Sequence, residues 1–132
     1  MTAVIDASVV VAALVDSGPL GSWAEDRLRA GRLAAPHLMP VEATNVLRRA
    51  ELAGELSSDV ATLAVADLLD LAVDLHPFDP LAERVWQLRG TITAYDAWYV
   101  ALAESLDAAL ATLDERLATA PGPVCRFEIP PP

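Results

Sequence analysis

The sequence is poor in the residues that several kinds of binding site require. It contains one cysteine, Cys125, and two histidines among 132 residues. A single cysteine cannot form an internal disulfide, and so few soft ligands exclude a metal site of the zinc-finger kind. We therefore expect any bound metal to be a hard cation that is held by oxygen ligands.

Long apolar runs are also absent, although 54% of the residues are hydrophobic. The most apolar stretches are interrupted by Asp and fall short of the roughly 18 uncharged residues that a membrane span needs. The N-terminus lacks the basic region that opens a secretory signal. We expect a soluble, cytoplasmic protein with no membrane contact, in which residues 1–132 form a single domain.

Lysine is missing altogether. All nine basic residues are Arg, against 19 Asp and Glu, and the net charge is −10. This balance argues against general affinity for nucleic acid through the phosphate backbone. Arg is nevertheless the side chain best suited to bidentate phosphate contacts, so a local basic patch stays open. Aromatic residues make up only 5% of the chain, which argues against stacking of bases on exposed rings as the main mode of recognition.

Short strands that alternate with helices are the main feature of the pattern. The apolar runs predict strands over residues 3–6, 33–36, 74–78, 108–114 and 124–129. Helices are predicted over residues 7–15, 22–31, 38–56, 57–73, 79–90, 93–107 and 115–120. Gly31 is the expected C-terminal cap of the second helix, and Ser57 or Ser58 the N-cap of the fourth. The alternation predicts an α/β fold whose parallel sheet is covered by helices on both faces.

Four carboxylates lie at strand ends and helix starts: Asp6 and Asp114 end predicted strands, and Glu42 and Asp96 lie near the starts of helices. The carboxyl ends of parallel strands meet at one sheet edge, where ligands bind, so we expect Asp6 and Asp114 to lie together. Each residue alone also has a purely local explanation. Asp is a favoured N-cap, Thr93 with Asp96 matches a capping box, and a Glu in a first turn suits the helix dipole.

The four acids taken together favour a metal site. Anions that converge without a cation repel one another and raise one another's pKa. A divalent cation removes this conflict, and Mg²⁺ takes carboxylate oxygens and waters as ligands, commonly for phosphate chemistry.

Four segments of the chain, in order, resemble the motifs of the PIN-domain ribonucleases, and within them the toxins of bacterial VapBC toxin–antitoxin pairs. The resemblance covers nearly the whole chain. The first two segments are "VIDASVVVAAL", with Asp6 and Ser8, and "VEATNVLRR", with Glu42 and Asn45. The other two are "TAYDAWYVALAE", with Asp96, and "LATLDERLA", with Thr112 and Asp114.

The resemblance implies an α/β/α sandwich and an endoribonuclease that cleaves RNA with a metal-activated water. Asp6, Glu42, Asp96 and Asp114 would be the catalytic acids that bind Mg²⁺ or Mn²⁺, with Ser8, Asn45 and Thr112 in support. Arg48, Arg49 and Arg116 follow the motifs closely and are the expected phosphate contacts. The resemblance also implies a cognate antitoxin whose tail fills the groove, and a homodimer.

Two other functional classes remain to be weighed. A phosphate-accepting signalling domain also places strand-end Asp residues around Mg²⁺, but it normally has adjacent acids on the first strand and a late Lys, and the chain has neither. The other class is a binding module that has the PIN fold but no catalytic activity. The four intact acids argue against it.

Overall fold

Five parallel strands form one sheet in the computed structural model, which describes residues 1–132. The strands are β1 (Thr2–Ile5), β2 (Arg32–Pro36), β3 (Asp74–His76), β4 (Ala109–Ala111) and β5 (Phe127–Glu128). Their order is β3-β2-β1-β4-β5, and every neighbouring pair is parallel. The predicted α/β fold with a central parallel sheet is confirmed.

Seven helices connect and cover the strands. They are α1 (Ala7–Val15), α2 (Pro19–Arg29), α3 (Met39–Leu52), α4 (Ser58–Asp70), α5 (Ala82–Gln87), α6 (Ala94–Leu106) and α7 (Glu115–Thr119). Helix α1 packs against α2, α3 and α4, whereas α5 packs against α6, which lies on β1, β2 and β4. Parallel crossovers are right-handed, so connections that run in opposite directions from β1 place these two groups of helices on opposite faces. The result is the expected α/β/α sandwich.

The core lies where β1 meets the helices on both faces. Val4 and Ile5 of β1 and Leu110 of β4 are fully buried, and α6 buries five consecutive residues, Tyr99–Ala103. On α3, the predicted apolar face is buried at Met39, Ala43 and Leu47, and half-buried at Val46 and Ala50.

Helix ends follow the sequence in most places. Ser57 accepts a hydrogen bond from the Val60 N–H and caps α4, and Pro40 lies in the first turn of α3. The prediction that Gly31 caps α2 is wrong, because Ala30 ends that helix in an ordinary right-handed conformation. Gly31 is required for another reason: a Cβ there would lie 2.4 Å from the carbonyl oxygen of Met1, in the neighbouring strand segment.

None of the helices taken singly has the length and apolar character to cross a membrane. The successive helices α1 and α2 meet that test only as a pair, with a bend of 115° between them.

The strand order reverses beside β1, and this reversal positions the candidate site. From β1 the chain builds outward through β2 to β3, and it then returns to β4 on the other side of β1. A crevice therefore opens between the helices at the carboxyl ends of β1 and β4, where ligands bind in open parallel sheets. Asp6 directly follows β1, and Asp114 lies shortly after β4.

Candidate active site

A cleft of about 490 Å³ opens at this edge of the sheet. All four predicted acids line it, and we call it the acidic cleft. Ser8, Asp16 and Tyr99 also line the cleft. Its apolar wall consists of Val11, Ala12, Val15, Val46 and Leu113. The topology has thus brought together residues that are up to 108 positions apart in the chain, between Asp6 and Asp114.

Asp6 is held from both sides of its carboxylate. Oδ1 accepts hydrogen bonds from the N–H groups of Ser8, at 2.8 Å, and Val9, at 3.3 Å, and from the Ser8 hydroxyl. Oδ2 accepts a hydrogen bond from the hydroxyl of Thr112. Burial raises the pKa of Asp6, and these four hydrogen bonds oppose the shift without cancelling it. Asp6 is therefore an N-cap of α1, and its carboxylate also faces the cleft.

Two hydroxyl groups connect the end of β1 to the end of β4. The fully buried Thr112 donates to Asp6 and accepts from the Asp114 N–H at 3.0 Å. The Ser8 hydroxyl donates to Asp6 and accepts from the Leu113 N–H at 3.3 Å. Each hydroxyl donates its proton to Asp6 and accepts from an N–H group in the segment that follows β4. These bonds fix the position of Asp6 relative to Asp114.

Asp114 caps α7. Its Oδ1 accepts from the N–H groups of Arg116, at 2.9 Å, and Leu117, at 3.3 Å. Its Oδ2 accepts no hydrogen bond, and the residue is exposed at the cleft. One oxygen is consequently structural, and the other is available to a ligand.

Asp96 settles the question of the capping box. Thr93 caps α6 by accepting from the Asp96 N–H at 3.2 Å, but no hydrogen bond from the Thr93 N–H to the Asp96 carboxylate closes a capping box. The carboxylate lines the cleft instead. Burial raises its pKa first, and the negative charges of Asp114, Asp6 and Glu42 raise it further. Asp96 therefore experiences the electrostatic repulsion expected of converging acids.

Glu42 has a partner that the sequence analysis did not assign. The Tyr99 hydroxyl donates to Glu42 Oε1 at 2.6 Å. Burial, the bond to Glu42 and the Glu42 charge all raise the pKa of Tyr99, so the phenol stays a proton donor. The available signal was spacing: Tyr99 follows Asp96 by three residues on one helix face, and a buried tyrosine hydroxyl needs a partner.

The other predicted residues lie outside the cleft lining. Asn45 is exposed on α3, so its predicted support of the acids stays a prediction. Arg48, Arg49 and Arg116 are exposed and form no salt bridge, which leaves their guanidinium groups free. His37 and His76 also lie outside the cleft lining.

Asp16 is a fifth acid in the cleft that sequence reasoning missed. It follows the last residue of α1, and its Oδ1 accepts from the Gly18 N–H at 2.7 Å. The nine-residue helix α1 separates Asp6 from Asp16, and ten steps of 1.5 Å along its axis place the two residues roughly 15 Å apart. The cleft is therefore acidic at both ends of α1, with Val11, Ala12 and Val15 between them.

The donor set fits a hard divalent cation. Every charged residue that lines the cleft is acidic, and oxygen is the only ligand atom that these side chains offer. The acids do not close into a cage, since no three Asp, Glu, His or Cys side chains converge into a ready metal-binding group. Mg²⁺ tolerates such a site because it keeps several waters and uses few protein ligands.

Comparisons with known proteins agree with this geometry. The PIN domain model matches residues 3–123. The chain is 42% identical over 127 residues to Ribonuclease VapC1 of Mycobacterium tuberculosis, with 96% of each chain covered. It is 38% identical to Ribonuclease VapC9 of the same organism, over 97% of this chain and 98% of that one.

Among solved structures, VapBC2 from Rickettsia felis bound to a DNA fragment from its promoter has the same fold. The TM-score is 0.68 at 13% identity, with 98% of each chain covered. The matches extend over the strands and helices that carry all four acids of the cleft. The chain therefore belongs to the PIN-domain family, alongside the VapC-type toxin ribonucleases.

Proposed function

We propose that the protein is the toxin of a toxin–antitoxin pair, an endoribonuclease that hydrolyses RNA phosphodiester bonds with Mg²⁺ or Mn²⁺. The observation that carries the proposal is that Asp6, Glu42, Asp96 and Asp114 all line one cleft whose lining contains no cation. The similarity to ribonucleases over nearly the full chain supports the same reaction.

The bound metal would supply a water of lowered pKa and positive charge at the scissile phosphate. Asp6, Asp96 and Asp114 would hold it, with Glu42 as a further ligand, directly or through water. The residues of the chain fix where these oxygens stand: Ser8 and Thr112 orient Asp6, and the Tyr99 hydroxyl orients Glu42. Burial and the negative charges of the three other acids raise the pKa of Asp96, so a bound cation would relieve repulsion at this carboxylate.

No protein nucleophile is required. The Ser8 hydroxyl is the one hydroxyl at the cleft beside Asp6, and its proton is already donated to that carboxylate. No histidine or cysteine lines the cleft to act as its base. The role left for the side chains is to bind and orient the metal and the substrate.

The cleft also fits a peptide partner. Its apolar wall of Val11, Ala12 and Val15, between acids at both ends, is complementary to a segment with apolar and basic side chains. We assign this segment to the tail of the cognate antitoxin, which would exclude RNA from the acids while it is bound. The working form of the toxin in this proposal is a homodimer.

The test is cleavage of total cellular RNA by the purified protein with Mg²⁺, with Mn²⁺ and with EDTA. We expect discrete fragments with either metal and none with EDTA. Asp6→Asn and Asp96→Asn should reduce the rate by about a hundredfold or more, because each removes a charge from the cation site while preserving shape.

Asp107→Asn is a matched control. Asp107 is fully exposed, lies far from the cleft lining and has a left-handed backbone that Asn adopts readily. It should cleave at the wild-type rate. If Asp6→Asn also did so, Asp6 would be a helix cap only. If the wild-type protein cleaved nothing and its expression left cells unharmed, the protein would be a binding module without catalysis.

A further inference from the structure

An exposed tryptophan lies at the end of α5, outside the acidic cleft. Trp86 is 66% exposed, even though the guanidinium of Arg89 lies over its ring at 4.3 Å from the ring centroid. Arg89 also donates a hydrogen bond to the Trp86 carbonyl oxygen at 2.9 Å. The pair is thus held in a stacked arrangement before any ligand arrives.

Arg89 has no acidic partner. The chain has 19 acids and nine arginines, and five of the arginines form salt bridges. Arg89 belongs to the four that do not, together with Arg48, Arg49 and Arg116. A cation left unpaired on a strongly acidic protein, and stacked on an exposed ring, is complementary to an anion that carries flat apolar groups.

The chain places this pair within a few nucleotides of the cleft. Thr93 lies four positions after Arg89, and one helical turn then leads to Asp96, so the Cα atoms of Arg89 and Asp96 are at most roughly 19 Å apart. Bonds from the N–H groups of Thr91 and Ile92 to the Leu88 carbonyl make the turn compact.

We infer that Trp86 and Arg89 form a second RNA contact, which binds the single-stranded segment beside the scissile bond. One base would stack on the Trp86 ring, and Arg89 would contact the adjacent phosphate. Stacking on one aromatic ring is sequence-tolerant and strong enough to matter, so a low overall aromatic content is no obstacle to a single contact. This inference rests on the proposed ribonuclease function.

The experiment measures binding separately from cleavage. A fluorescein-labelled oligoadenosine of 12 nucleotides is titrated with the full chain, and anisotropy is recorded with Ca²⁺ in place of Mg²⁺. Ca²⁺ supplies the same charge with a looser coordination geometry. The variants are Trp86→Ala, Trp86→Phe and Arg89→Gln. Arg29→Gln is the control, because Arg29 is exposed and pairs with Glu25 within α2, away from α5.

We expect Trp86→Ala to weaken binding about tenfold and Trp86→Phe to restore most of the loss. Arg89→Gln should reduce the slope of log affinity against log salt by about 0.7. In the cleavage assay these variants should raise KM for RNA more than they lower kcat. Arg29→Gln should behave as the wild type in all three measurements.

Wild-type binding and cleavage by the Trp86 and Arg89 variants would overturn this inference and leave the ribonuclease proposal intact. Failure of the wild-type protein to cleave RNA at all would instead overturn the proposed function. A change of oligomeric state in Trp86→Ala, measured by sedimentation equilibrium, would assign the pair to an interface between copies and also overturn the RNA contact.

Discussion

Thr112 is the residue on which the position of Asp6 depends most. It is fully buried, and its one hydroxyl donates to Asp6 and accepts from the Asp114 N–H. Valine has nearly the same shape but cannot make either bond. A substitution at this position therefore tests the hydrogen bonds of the hydroxyl with little change in packing.

We expect Thr112→Val to lower the free energy of unfolding by about 1–3 kcal/mol, because it removes the partner of two part-buried polar groups, the Asp6 carboxylate and the Asp114 N–H. Cleavage should fall by at least tenfold, since Asp6 loses one of its supports. Urea unfolding and kcat/KM measure the two effects. Thr119→Val, which removes an exposed hydroxyl that bonds to its own helix, should change neither. Wild-type activity in Thr112→Val would mean that Ser8 alone orients Asp6.

The acidity of Asp96 predicts how stability depends on pH without metal. In the unfolded chain an Asp ionises near pH 3.9, whereas burial and the three other acids raise the pKa of Asp96 in the fold. The ionised Asp96 therefore lowers the free energy of unfolding. This loss is complete once the pH exceeds the raised pKa of the folded protein, and it is absent below the pKa of the unfolded chain. Asp96→Asn removes it.

In EDTA at pH 7, Asp96→Asn should have a higher Tm than the wild type, and the difference should shrink as the pH falls toward 4. Mg²⁺ should raise the Tm of the wild type more than that of the variant. Asp107→Asn serves as the reference for loss of an exposed charge. A lower Tm for Asp96→Asn at neutral pH in EDTA would contradict the expected repulsion.

The individual acids show how far the sequence leads at this scale. Strand ends predicted that Asp6 and Asp114 would meet, and the structure places both at one cleft, where both are also helix caps. For Asp96 the pattern left capping box and ligand open, and only coordinates show that its carboxylate lines the cleft and does not close a capping box with the Thr93 N–H. Asp16 and Tyr99 were not assigned to the site, because their roles depend on neighbours distant in sequence.

At the scale of elements, the corner between α1 and α2 forms one end of the acidic cleft. Gly21 in the first turns of α2 packs directly on the backbone of Asp16, where a Cβ would lie 1.8 Å from the carbonyl oxygen. No side chain can be accommodated without moving α2 away from α1. The corner therefore depends on this glycine.

We expect Gly21→Ala to destabilise the protein by about 3 kcal/mol or more, at the upper end of what overpacking costs. The measurement is urea unfolding followed by circular dichroism. Gly90→Ala is the matched control, because a Cβ at Gly90 meets nothing within 4 Å, and it should leave stability nearly unchanged. Equal stability of the two variants would show that α2 shifts freely.

The order and type of the elements were predictable from the sequence because apolar periodicity and capping residues mark them. The residues at which these elements begin and end were less predictable. The predicted helix over 79–90 is a 3-10 turn over Asp79–Leu81 followed by the six-residue α5. Strands β3, β4 and β5 are shorter than predicted. In β4 this is because Thr112 and the residues around it leave the strand to build the site.

At the scale of the whole molecule, the net charge of −10 limits how the protein can hold RNA. Only four arginines are free of salt bridges, so few phosphates can be neutralised. Each phosphate contact with a single strand contributes about −0.7 to the slope of log affinity against log salt.

We expect that slope to be no steeper than about −3 when oligoadenosine binding is measured at 50 to 200 mM KCl. Arg48→Gln, Arg49→Gln and Arg116→Gln should each reduce its magnitude if the predicted phosphate contacts form. A slope near −6 would require a basic surface that the isolated chain lacks, for example one shared between copies.

The pairing of β1 with β4 also determines at what point in synthesis the acidic cleft can form. Asp6 is translated long before residues 112 and 114, which supply the hydroxyl that orients it and the acid beside it. A nascent chain cannot assemble the cleft until that late strand has emerged from the ribosome and inserted beside β1. A chain that stops before this strand therefore lacks the acidic cleft, and the antitoxin tail proposed above would find its binding site only once the strand is in place.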